Sequence, residues 1–103
     1  MHKALAVTLA VAWSAMSLSA GEVVKGEALF LKLCWGCHHQ TAEAFGPSFA
    51  SIAQKRSDGE IQGQILHPEL LYKELGYTRN AMPPFALTGE ELQDITAYIQ
   101  SFK

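Results

Sequence analysis

Leu92, Ile95, Tyr98, Ile99 and Phe102 recur near the end of the chain, with polar and acidic residues between them. Apolar residues three and four apart share one face of a helix, so the pattern predicts a helix from about Gly89 to Ser101 with one buried side. Thr88 stands at the N-cap position and Glu91 follows three residues later, the arrangement of a capping box. A second helix is predicted over Val23 to Leu33. There Gly26 and Phe30 are four apart and share a face. Glycine inside a helix costs propensity, which makes sense if another helix crosses closely at that point. The terminal helices are the expected pair, with Gly26 admitting an aromatic such as Tyr98.

The middle of the chain gives shorter signals. Gly46-Pro47 opens PSFASIAQK, read as a short helix with Phe49 and Ile52 inward. Ser57 or Asp58 caps a further helix near Glu60 to Leu66, ended by Pro68. A helical turn is expected at Glu69 to Leu75. No run shows strand alternation, and no repeat or low-complexity tract is visible. The expected fold class is all-α, with three to five short helices and the N- and C-terminal helices crossing.

The start of the chain is different. Met1, His2 and Lys3 precede the apolar stretch ALAVTLAVAWSAM, and the small residues SLSAG follow. This is the three-part pattern of a secretory signal peptide. A membrane anchor would need about 20 apolar residues, and this run is shorter. Residues 1–20 are therefore expected to be cleaved, leaving 21–103 as one domain. Ser17-x-Ser19 and Ser19-x-Gly21 place alternative cuts within one residue of that boundary. Export implies an oxidising compartment, in a bacterium the periplasm. The 103-residue chain carries 8 basic and 10 acidic side chains, and loss of Lys3 tips the balance further. That argues against a nucleic-acid surface. A domain this small usually needs a disulfide, a metal or a cofactor to supplement its core.

The two cysteines, Cys34 and Cys37, lie in CWGCH with His38 directly after. Three chemistries share this spacing. A thioredoxin-like dithiol belongs on a βαβ scaffold, and no successive strands are visible here. A zinc site needs a fourth ligand and usually more separated pairs. Covalent attachment of a c-type haem explains each position. Thiols at i and i+3 lie on one side of a helical turn and suit the two vinyl groups on one porphyrin edge. The adjacent histidine then meets the iron, and Gly36 gives the backbone room beside the ring. Haem c, one per chain, is the cofactor expected, and it supplies the missing apolar core.

What the iron does depends on its sixth ligand. The only methionine outside the leader is Met82, in NAMPPF, where Pro83 and Pro84 stiffen the chain. A thioether held by a rigid loop favours reduced iron. Without a haem, Met82 would simply fill a gap in the core. With one, Met82 is the expected partner of His38. His67, before Pro68, is the one imidazole rival, and its alternative role is a surface or helix-end position. His39 cannot reach the far side of a ring that His38 faces. A backbone carbonyl near Pro47 has two readings, a plain turn or an acceptor for the far nitrogen of His38 that fixes the ring. Trp35 likewise reads either as packing at the haem edge or as a docking contact, with Pro84 and Phe85 at the same rim.

CWGCH, Gly26 with Phe30, Gly46-Pro47, Met82-Pro83 and the final LQDITAYIQSF together resemble the class I cytochromes c, over about residues 22–102. The resemblance implies an all-α cytochrome c-like fold wrapped around one covalent haem. It implies that Cys34 and Cys37 form the thioethers, that His38 and Met82 are the axial metal ligands, and that Pro47 supports His38. Gly26, Phe30 and Tyr98 match the crossing of the terminal helices. The chain resembles the small bacterial members. Lys25, Lys32, Lys55, Arg56, Lys73 and Arg79 are scattered, without the basic ring of the mitochondrial type.

The expected function is one-electron carriage between periplasmic or membrane-bound redox partners, a dehydrogenase or reductase as donor and an oxidase or another cytochrome as acceptor. No acid–base pair points to catalysis, nor to a small-molecule substrate. The expected state is a monomer or weak dimer. Two other classes stand beside this reading. One is a dedicated cytochrome subunit of a single dehydrogenase, acting for example on a sulfur compound or an alcohol. The other is haem-based gas binding or sensing, which would need an open or labile Met82 site.

Overall fold

The computed structural model describes residues 21–103. The expected leader, and with it the domain boundary near residue 20, lies outside the described residues. Among the described residues there are five α-helices: α1 Val23–Leu29, α2 Phe49–Lys55, α3 Asp58–Leu66, α4 Pro68–Leu71 and α5 Gly89–Gln100. The described residues contain no strand, and no helix among them is long and apolar enough to cross a membrane.

The first helix departs from its expected course. It is α-helical only to Leu29 and then widens into a π-helical turn over Phe30–Cys34. Its signature is the Trp35 amide, which donates to the Phe30 carbonyl at 2.9 Å. A π turn takes in one extra residue and shifts the direction of every later side chain. Phe30 stays fully buried, while the cysteine that ends the turn faces elsewhere.

Local chemistry sets the other helix ends. Thr88 and Glu91 form the expected capping box at α5: the Glu91 amide donates to Thr88 Oγ1 at 3.1 Å, and the Thr88 amide to Glu91 Oε1 at 2.9 Å. At α3 the cap is Ser57, boxed with Glu60, so the helix begins at Asp58, earlier than expected. Ser48 caps α2 by accepting from the Ser51 amide at 3.1 Å. Pro68 does more than end α3. It opens α4 at the first helical position, where its missing N–H costs nothing. The expected turn at Glu69 to Leu75 is accordingly shorter and starts one residue sooner, because His67 absorbs the break between α3 and α4 with φ −140° and ψ 63°.

α1 packs across α5. A side chain at Gly26 would overlap the Asp94 carbonyl and come within 2.6 Å of Tyr98 Cβ, so the glycine is what permits the close crossing. Asp94 is itself buried, and its Oδ1 accepts from the Glu22 amide at 2.8 Å. One α5 carboxylate thus satisfies the free N–H at the start of α1. Behind the crossing lies an aromatic cluster. Phe30 sits 5.1 Å from Phe49 and 5.7 Å from Tyr98, and Tyr98 sits 5.1 Å from Phe102. Ile95 and Ile99 complete the buried face of α5, with Leu92 and Phe102 packed at its margin. The long segment between α4 and α5 is pinned to α3, where the Phe85 amide donates to the Ile65 carbonyl at 3.0 Å.

Candidate functional site

The aromatic core and the segment before α5 enclose a cavity of about 340 Å³. Cys34, Cys37, His38, Pro47 and Met82 all line it. They come from three separate stretches: the end of the π turn, the loop before α2, and the segment between α4 and α5. Most of the remaining wall is apolar, from Leu33, Phe49, Ile52, Ile61, Ile65, Ile95 and Ile99.

His38 is held from two sides. Its Nδ1 donates to the Pro47 carbonyl at 2.8 Å. A carbonyl only accepts, so Nδ1 carries the proton and the neutral ring keeps its lone pair on Nε2. The ring also lies 5.5 Å from that of Phe49. Gly46 makes this position available, since a Cβ there would come within 2.5 Å of His38 Cε1. The loop closes on itself through Gly46 amide to Cys37 carbonyl at 2.7 Å, and Phe49 amide to His39 carbonyl at 3.0 Å.

Cys34 and Cys37 are free thiols. Burial, with a smaller contribution from the neighbouring Cys37, pushes the Cys34 thiol up to about 11. A redox-active dithiol needs the opposite, an attacking cysteine with a lowered pKa. Together with the absence of strands among the described residues, this leaves the thioredoxin-like reading without support. The zinc reading lacks its ligands, because no three or more His, Cys, Asp and Glu side chains come together among the described residues in a way that would hold a metal ion.

The other singled-out residues lie elsewhere. Trp35 is 64% exposed and does not line the cavity. His39 faces solvent, where its Nδ1 accepts from the Thr41 and Ala42 amides, each at 3.0 Å. His67 is exposed and pairs with Glu69 Oε1 at 3.3 Å. Phe85 and Pro83 are on the cavity wall, whereas Pro84 is not.

Several wall residues were not foreseen from sequence. Phe45 lines the cavity while 74% exposed, which places it at the mouth. Gln64, Tyr77, Thr78 and Arg79 also line it. Only Phe45, directly before Gly46-Pro47, had a neighbouring signal that would have found it.

Two thiols, one imidazole nitrogen and one thioether on a largely apolar cavity are a set of groups that would suit a covalently attached haem. The residues present fit that group.

Comparison with known proteins is consistent with this reading. A family model for cytochrome c matches residues 23–103. A solved structure, a cytochrome c from Rhodothermus marinus, is similar with a TM-score of 0.61 and 24% identity, over 78% of this chain and 75% of that one. At that identity the likeness speaks for the all-α fold. No curated protein sequence matches the chain.

Proposed function

The chain belongs to the cytochrome c family, and on that premise we propose that it is an exported one-electron carrier with His38 and Met82 as axial ligands. The observation that supports this most is the convergence of Cys34, Cys37, His38 and Met82 on one cavity. Haem c, when bound, supplies an iron centre that cycles between ferric and ferrous. Cys34 and Cys37 would hold it as thioethers, which prevents loss outside the cell. His38 presents Nε2 because Pro47 occupies Nδ1, and that hydrogen bond both orients the ring and strengthens it as a donor. Met82 supplies a soft sulfur from a segment stiffened by two following prolines and pinned at Phe85.

The apolar wall keeps water from the site, which favours the less charged, reduced state. Ligands retained in both states keep structural change on electron transfer small. The leader reading places the work in the periplasm, between a donor such as a dehydrogenase or reductase and an acceptor such as an oxidase. Phe45 at the mouth and the solvent-facing Trp35 offer apolar contact area for the small, transient interfaces of redox partners.

An optical spectrum of the mature protein, oxidised and reduced, tests the reading. The expected result is a covalent c-type spectrum with the weak far-red band of ferric iron bound by methionine sulfur. A c-type spectrum without that band would remove Met82 from the iron and return gas binding to consideration.

Gly46→Ala probes how His38 is positioned. The added methyl meets the imidazole, so the ring or the loop must shift, at a cost of about 1–3 kcal/mol typical of overpacking. For a domain of this size the thermal midpoint should fall by roughly 4–8 °C per kcal/mol. Loss of the His38–Pro47 bond weakens the imidazole as a donor and should also raise the midpoint potential, visible in a spectroelectrochemical titration. An unchanged melt and potential would show that the loop absorbs the methyl freely.

A further inference from the structure

The first two described residues are both held against α5. Gly21 lies so close to it that a side chain at this position would overlap the Gln93 carbonyl. Glu22, the next residue, donates its amide to Asp94 Oδ1 at 2.8 Å. Asp94 is only 5% exposed, and a carboxylate removed from water ordinarily has a cation beside it. The described side chains supply none. Lys25 reaches Glu22 and Glu90, each at 3.5 Å, and not Asp94. Lys32 borders the same groove as Asp94, together with Glu90 and Glu91, and forms no ion pair with it. Among the described residues, one neutral backbone amide thus stands against a buried carboxylate that has about four lone-pair positions to fill.

The missing charge has a source in the chain itself. Resting on the export reading above, we propose that the leader is cut between Ala20 and Gly21 and that the α-ammonium created on Gly21 pairs with Asp94. Hydrolysis of that amide by a signal-removing endopeptidase takes up water and leaves the carboxylate on Ala20. It gives Gly21 an amine that is protonated at neutral pH. Consecutive residues lie about 3.8 Å apart, so the new ammonium stands one residue from the amide already bound to Asp94. It carries three protons and turns about a single bond, which lets it reach a free lone pair of the same carboxylate. In the precursor this nitrogen is a neutral amide. The alternative cuts fit less well. A cut after Ser19 leaves Gly21 nitrogen uncharged, and a cut after Gly21 discards the residue whose lack of a side chain suits α5. Leader removal thus completes the electrostatics of the α1–α5 crossing, and the processed domain is more stable than its precursor.

The intact mass of the exported, haem-loaded protein should correspond to residues 21–103 with haem attached. A chain that begins at Ala20 or Glu22 overturns the proposal and leaves export standing, whereas a chain that keeps its leader overturns both. Thermal melts then compare the mature protein with a form that carries one extra alanine before Gly21, each with and without Asp94→Asn. The extra alanine makes Gly21 nitrogen a neutral amide and moves the charge one residue away. It should lower the melting midpoint by about 4–8 °C, the shift that loss of one moderate interaction brings in a domain of this size. Asp94→Asn keeps an oxygen for the Glu22 amide and removes the charge, so in that background the alanine should cost little. No loss from the alanine in the Asp94 protein, or an equal loss in both backgrounds, overturns the pairing. Asp94 does not line the large cavity, so the optical spectrum should be the same in all four proteins. Failure of the pairing therefore leaves the carrier reading untouched.

Discussion

Replacing Met82 by Ala should lower the midpoint potential on the order of 0.1 V or more, within the roughly 0.8 V over which axial ligands tune haem proteins. The physical reason is the loss of a soft sulfur that stabilises reduced iron. The far-red band should disappear in the same variant. The ferrous protein should bind carbon monoxide, and the ferric protein cyanide, where wild type binds neither readily. His67 is not placed to compensate, being exposed and paired with Glu69. The haem should remain attached, since Cys34 and Cys37 are untouched. A Met82→Ala protein with wild-type potential and no carbon monoxide binding would sink the ligand assignment.

Tyr98→Ala should destabilise the fold by about 3 kcal/mol or more, in the range measured for buried aromatic-to-alanine changes. Tyr98 is only 4% exposed. Its ring touches Phe30 and Phe102 and lies 6.1 Å from Phe49, so its loss opens a void shared by three aromatic neighbours. Gln40 Nε2 also loses its bond to the Tyr98 hydroxyl, which is long at 3.4 Å and contributes little. Native domains are stable by only about 5–15 kcal/mol, so this is a large fraction of the total. Chemical denaturation of the haem-loaded protein, monitored in the far ultraviolet, reads the effect. Tyr98→Phe should retain most of the stability, because the ring and not the hydroxyl fills the crossing. A Tyr98→Ala loss below about half a kcal/mol would contradict a buried role.

α5 was legible from its apolar spacing and its capping box because both are local features, set within two or three turns of one helix. The crossing partner of Gly26 was legible for a related reason. A glycine in a helix has a cost, and a close neighbour is the common explanation for it. The end of α1 was not legible. Nothing in FLKLC distinguishes an α turn from a π turn, and the choice lies in how Phe30 reaches the core while Cys34 reaches the cavity. The role of Asp94 was equally hidden, because its partner is the Glu22 amide at the other end of the domain. Trp35 was left between packing and docking by its position in the motif, and its exposure shows that the side chain faces outward.

By itself, the sequence determined the helical class, the cysteine pair with its histidine, and the single methionine within residues 21–103. These are statements about spacing, composition and elimination, which need no third dimension. Only the tertiary structure decided that Gly46 must lack a side chain because the His38 ring lies against it, that the Pro47 carbonyl occupies Nδ1, and that Gln64 and Arg79 share a wall with Met82. The first two span eight and nine residues of one loop folded against itself, and the third joins α3 to the segment before α5; each is fixed by packing around one aromatic core rather than by a helical period.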